Sequence, residues 1–183
     1  PLPLGILALA GAGGVVTSMD LIARTTLSTD SNSVTFSSLN NQTDYQHLYV
    51  SFMARSSGSG NMSDIGIRFN GVTSGSYAWQ QYKYTQSGTD AQRTTTGTSI
   101  QSVKVPAANG DYRAHGAAEF TIPSFRTASV GKTIIGQSGA IQSISGSIDA
   151  TIFSGVMHGD QTAISSITIF DGNGNFRANS EFA

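Results

Sequence analysis

From Met19 onward the apolar and polar positions alternate in short runs, rich in β-branched and aromatic residues and broken by clusters of Gly, Ser, Asn and Asp. A period of two sets successive side chains on opposite faces of a strand, and breaks at this spacing are those of sandwiches and barrels. The pattern predicts strands over residues 19–28, 33–37, 47–54, 65–69, 77–85, 99–105, 113–122, 132–141, 148–157 and 164–170, and no helix of ordinary length. In the third run Leu48, Val50 and Phe52 point one way and Tyr49, Ser51 and Met53 the other. In the last, Ile164, Ser166, Thr168 and Phe170 oppose Ala163, Ser165, Ile167 and Ile169, so neither face is wholly apolar and the orientation stays open.

Turn chemistry separates the runs: Asn70-Gly71, Asn109-Gly110-Asp111 and the stretch from Asp171 to Asn175 all read as strand reversals. Residues 55–63 and 86–98 are longer Ser-, Thr- and Gly-rich stretches, expected to be exposed loops and the places for variable binding surface. The expected organisation is an extended N-terminal arm over 1–18 and one antiparallel all-β domain over 19–183, with no second domain, linker or repeat.

The arm departs from the strand pattern. Residues 1–16 read PLPLGILALAGAGGVV, shorter than the ~20 apolar residues a membrane span needs and interrupted by proline and glycine. No Lys or Arg precedes the apolar run, as a signal peptide would have it. Burying Leu2, Leu4, Ile6, Leu7, Leu9, Val15 and Val16 is worth on the order of 10–20 kcal/mol. Ordering the backbone costs about 1–2 kcal/mol per residue, more at the glycines, so the arm roughly breaks even alone. The expectation is an arm that becomes ordered against another subunit or a larger assembly; the alternative is that it packs on its own domain.

Composition narrows the partners. Charged residues make up 11% of the 183 residues, against about 25% in an ordinary domain, while Ser and Thr supply roughly a quarter. The sheets must therefore be coated mainly with hydroxyls and amides. A net charge of −1 offers no basic face for phosphate, which argues against nucleic acid and against anionic membranes. Cysteine is absent, so neither disulfides nor thiolate-bound zinc support the fold.

Candidate chemistry is sparse. His47, His115 and His158 sit in no recognisable motif; His115 and Glu119 share a strand face but lie about 13 Å apart by strand rise. Phosphate loops, nucleophile elbows and zinc helices do not occur, and the carboxylates are scattered singly. Asp171, Asn173 and Asn175 have the first, third and fifth spacing of a calcium loop, but its twelfth position is Phe182, so a tight turn is the favoured reading. No catalytic residue, cofactor or metal is assigned, and an enzyme is not expected. Tyr77, Trp79, Tyr82 and Tyr84 form the densest aromatic cluster, with Tyr77 and Trp79 on one face and Tyr82 and Tyr84 on the other; they are candidates for a ligand or subunit contact.

Three stretches carry a resemblance: LIARTTLSTDSNSVTFSSL up to Leu39 with YQHLYVSFMARSS after it, IRFNGVTSGSY from Ile67, and TAISSITIFDGNGNFRANSEF from Thr162. Together with the opening PLPLGILALAGAGG, they resemble small β proteins of tailed-bacteriophage structural regions, the tail-fibre-like or decoration proteins of the virion. The resemblance implies a jelly-roll-like sandwich carried in many copies on an extracellular particle, and a short hydrophobic tail beyond the position of Phe182. It also implies a homo-oligomer such as a trimer, other virion proteins as partners, and an accessory role on capsid or fibre with the arm as anchor. The alternative is a tail appendage that recognises a host-surface glycan through Trp79 and its neighbouring tyrosines; a polymer hydrolase would need an acid pair that the sequence does not show.

Overall fold

The computed structural model describes residues 19–85, 87–110, 114–141 and 148–183. Twelve strands run through them: β1 (Thr25–Thr26), β2 (Ser33–Phe36), β3 (Leu48–Ala54), β4 (Met62–Phe69), β5 (Tyr77–Thr85), β6 (Gly88–Gly97), β7 (Ile100–Pro106), β8 (Gly116–Ile122), β9 (Lys132–Ile141), β10 (Ile148–Met157), β11 (Ile167–Asp171) and β12 (Glu181–Phe182). A single 3-10 turn, Leu39–Asn41, lies between β2 and β3.

These strands form two antiparallel sheets, one of eight in the order β1-β12-β3-β8-β9-β10-β5-β6 and one of four in the order β2-β11-β4-β7. Most connections cross from one sheet to the other, as the expected jelly-roll-like sandwich requires, while β8, β9 and β10 follow one another as a meander. The arm residues Leu2, Leu4, Ile6, Leu7, Leu9, Val15 and Val16 lie outside the described residues.

The core forms where the inner faces meet. Leu48, Val50 and Phe52 of β3, Phe120 and Ile122 of β8 and Phe153 of β10 face Val34, Ile65, Ile67, Phe69, Val103, Ile167 and Ile169 of the small sheet, all buried. On β11 it is therefore Ile167 and Ile169 that point inward, with Asp171 behind them. Phe182 stacks on Phe52 at 5.4 Å and meets Phe176 edge-on at 5.0 Å, which places the two-residue β12 between β1 and β3.

Several expected boundaries are corrected. The run 19–28 contributes only Thr25–Thr26, because its ladder partner β12 is two residues long; Met19 and Leu21 remain exposed. Residues 86–98, expected to be a loop, contain β6, which pairs with β5 from Thr85↔Gly88 to Tyr77↔Gly97. Nearly every β6 side chain is exposed, so no covered face imprints alternation on its sequence. Residues 55–63 are a loop only to Asn61, since β4 begins at Met62 to pair with Pro106.

Candidate functional site

The two outer faces of the sandwich differ sharply. On the small sheet Thr35 and Thr168 share a hydrogen bond of 2.9 Å, and Arg68 lies 4.1 Å from the centre of the Phe170 ring, which covers Gly66. Lys104 pairs with Asp64 at 2.5 Å. That face is polar and internally partnered.

On the large sheet many outward positions carry large apolar side chains, set among Ser, Thr and Gln. Twelve large hydrophobic side chains are exposed among the described residues, and Tyr49, Met53, Tyr82, Tyr84, Ile135, Ile141, Ile148 and Ile152 all lie on this one face. Register assembles them into rows across the strands. Ser51, Glu119, Gln137, Ile152 and Tyr82 form one row, flanked on one side by the row of Tyr49, Thr121, Ile135, Ser154 and Gln80. On the other side runs Met53, Ala117, Gly139, Ala150 and Tyr84.

The last row is a trough. Three small residues floor it and larger ones close its ends, and a Cβ built on Gly139 would meet nothing within 4 Å. The resulting concavity, about 830 Å³, is lined by Met53, Tyr84, Glu119, Gln137, Ile152 and Glu181 above the Ala117, Gly139 and Ala150 floor, and Glu181 is paired with Arg24. From β3 to β5 the only charged outward residue among those described is Glu119.

Glu119 is held by its neighbours. The Tyr49 hydroxyl donates to its carboxylate, as does the Gln137 amide at 2.7 Å. These bonds favour the charged carboxylate and hold its pKa below the usual value, while the same Tyr49 bond, with some burial, pushes the tyrosine up to about 12. The charge is thus fixed on β8, at the wall of the trough, by its own neighbours.

Beneath this face the usual polarity is reversed. On β10, Ile148, Ala150 and Ile152 point out while Asp149 and Thr151 point in, 3% and 2% exposed. Gln81 of β5 and Ser138 of β9 are likewise buried. Gln81 Oε1, Asp149 Oδ1 and Thr151 Oγ1 are buried there without a hydrogen-bond partner. A one-residue slip would exchange the two sets; the observed register leaves the isoleucines uncovered.

The four aromatics divide as alternation requires. Tyr77 is wholly buried, its hydroxyl accepting from the Phe69 amide at 3.0 Å and lying 3.2 Å from the Val72 carbonyl that it can donate to, and burial raises its pKa. Trp79 is partly buried and packs against the core. Tyr82 and Tyr84 remain open, with ring centres 4.9 Å apart in an edge-to-face pair. Only these two of the four present a free ring to a ligand or a subunit.

The histidines are dispersed. His47 accepts from the Ser124 amide at 3.1 Å; His115 precedes β8 instead of sharing its ladder with Glu119, and burial followed by the Arg55 charge lowers its pKa. Asp171 is turned inward, accepting from the Ser56 hydroxyl, from the Ser63 hydroxyl at 2.5 Å and from the Asn173 amide at 3.0 Å. Its oxygens close the 171–175 turn, and among the described residues no cluster of His, Asp or Glu has the make-up of a metal site. No protein-family model matches the chain, and no curated protein matches it.

Proposed function

We propose that the chain is a structural accessory protein of a virus particle of the tailed-bacteriophage kind, a sandwich that is assembled through the outer face of its eight-stranded sheet. The observation that carries the assembly role is the gathering of eight exposed large hydrophobic side chains on the one outer face of the eight-stranded sheet. A concentration of exposed apolar side chains on one face marks interaction sites on folded proteins. The particle setting rests on the resemblance of the three sequence stretches, and the charge-poor, hydroxyl-rich composition suits an extracellular surface on which ion pairs would contribute little and be screened by salt. Residues 1–16 would supply a second attachment, argued from their sequence alone. Many such contacts on one particle add avidity to a weak single contact.

Labelling the chain and imaging intact particles tests this. Regularly placed copies are expected; a chain found free in the host cytoplasm and never on particles would contradict it. Glycan recognition is the second reading, favoured by the open Tyr82 and Tyr84 rings. It predicts binding on a glycan array that Tyr82→Ala and Tyr84→Ala abolish while the fold, read by thermal melting, survives.

A further inference from the structure

We infer that the outer face of the eight-stranded sheet binds a second copy of this chain, sheet face against sheet face about a two-fold axis. This rests on the assembly reading above and names the partner. Three observations on the face select a second copy over an unlike protein.

Size comes first. At 38–61% exposure, the eight side chains together offer on the order of 700 Å² of apolar surface, above the roughly 300–600 Å² of the largest patch on a typical monomer and near the ~800 Å² each partner gives to a standard interface.

Charge comes second. A strongly charged protein would find little to complement, since the only outward charge from β3 to β5 among the described residues is Glu119, already bonded to Tyr49 and Gln137, and Glu181 at the edge of the trough is paired with Arg24. The Glu119 carboxylate on the trough wall enters such a contact already bonded to Tyr49 and Gln137 of its own copy.

Shape comes third. Ile152 and Tyr82 rise along one flank of the Ala117, Gly139 and Ala150 trough on the same face, and Ile141 and Ile148 along the other. Under a two-fold axis a flank of each copy enters the trough of the other, twice over, and the contact closes. A ring of three needs complementary surfaces on two different flanks, so this geometry points to two copies. The pairing also covers the isoleucines that the register of β10 leaves outside.

Gly139 makes the test clean. Its backbone is not left-handed and its missing Cβ faces open space, so Gly139→Val is compatible with the monomer while filling the trough. The full chain is examined by sedimentation velocity over a dilution series, with thermal melts of each variant. The expected result is a dimer that dissociates on dilution, weakened about tenfold or more by Gly139→Val and by Ile152→Lys with melting unchanged or raised, and unaffected by Thr168→Lys on the opposite sheet. A wild-type chain that stays monomeric overturns the inference, as does a dimer indifferent to Gly139→Val and Ile152→Lys. A trimer sensitive to the same substitutions overturns the two-fold packing. A monomer that still decorates particles places an unlike protein on the face and leaves the accessory role standing; a dimer never found on particles does the reverse.

Discussion

Replacing Asp171 by alanine removes the acceptor on which three segments converge. Its carboxylate takes hydrogen bonds from Ser56 and Ser63 in the β3–β4 connection and β4, and from Asn173 in its own turn, and both serines are wholly buried. Ser56 Oγ also accepts from the Gly58 amide at 2.8 Å, so the loop before β4 hangs on the same anchor. A hydrogen bond to a charged group is worth about 1.5–3 kcal/mol, and a buried hydroxyl left without a partner costs about 1–3 kcal/mol. Relief of the carboxylate's own desolvation offsets part of this. The net expectation is a loss of about 3–5 kcal/mol, which lowers the melting temperature by roughly 10 °C in a chain of this length. Asp171→Asn keeps one acceptor oxygen and should lose about half as much. The assay is urea unfolding at one fixed protein concentration, since association shifts apparent stability. A loss below about 1 kcal/mol for Asp171→Ala would refute the anchoring role. Because the oxygens are already engaged, added calcium should leave the melting temperature unchanged; a calcium-dependent rise would restore the ion-site reading of the 171–175 turn.

Three further expectations test the packing. At Gly136 a Cβ would lie 2.4 Å from the Glu119 carbonyl oxygen and 2.6 Å from Phe120 and Phe153, so Gly136→Ala should destabilise by about 1–3 kcal/mol in urea melts. Thr151→Val removes a buried hydroxyl that has no partner and should stabilise by about 1 kcal/mol; a comparable loss would show that the hydroxyl is bonded. Tyr49→Phe should raise the Glu119 pKa toward its ordinary value, read by NMR titration. Since the folded Glu119 pKa is depressed, the stabilisation from this pair is present above the ordinary carboxylate pKa and fades as pH falls through the folded value. Since Tyr49 is raised to about 12, the same pair weakens again only as pH climbs from the ordinary tyrosine value of 10.0 through that value. On so exposed a pair the effect on overall stability is small.

The sequence was most legible where one strand face is covered. The bounds of β5, β9 and β10 coincide with the expected runs 77–85, 132–141 and 148–157, and β3 turns Leu48, Val50 and Phe52 into the core as its alternation requires. Strand β6 was hidden because both of its faces meet solvent and polar side chains suit either. Strand β12 was hidden because its two residues owe their place to Phe182 reaching Phe52 and Phe176, a contact between distant parts of the chain.

Half of the candidate site could be read in the same way. Tyr82 and Tyr84 stood out as aromatics on one strand face, whereas nothing singled out the four isoleucines on β9 and β10, because period two does not say which face is inside. The signal available was their alternation with Ser138, Asp149 and Thr151, which the fold turns inward.

The most direct measurement of the assembly surface uses the absence of native cysteine, which lets one introduced thiol report alone. Ala150→Cys places a thiol of nearly the same size on the trough floor, and Thr168→Cys places one on the outer face of the small sheet. In the assembled protein, maleimide labelling at position 150 should be slowed strongly relative to the diluted chain, while position 168 reacts at the same rate in both. Equal labelling of the two positions in the assembled protein would contradict the account, because the outer face of the large sheet would then still be open.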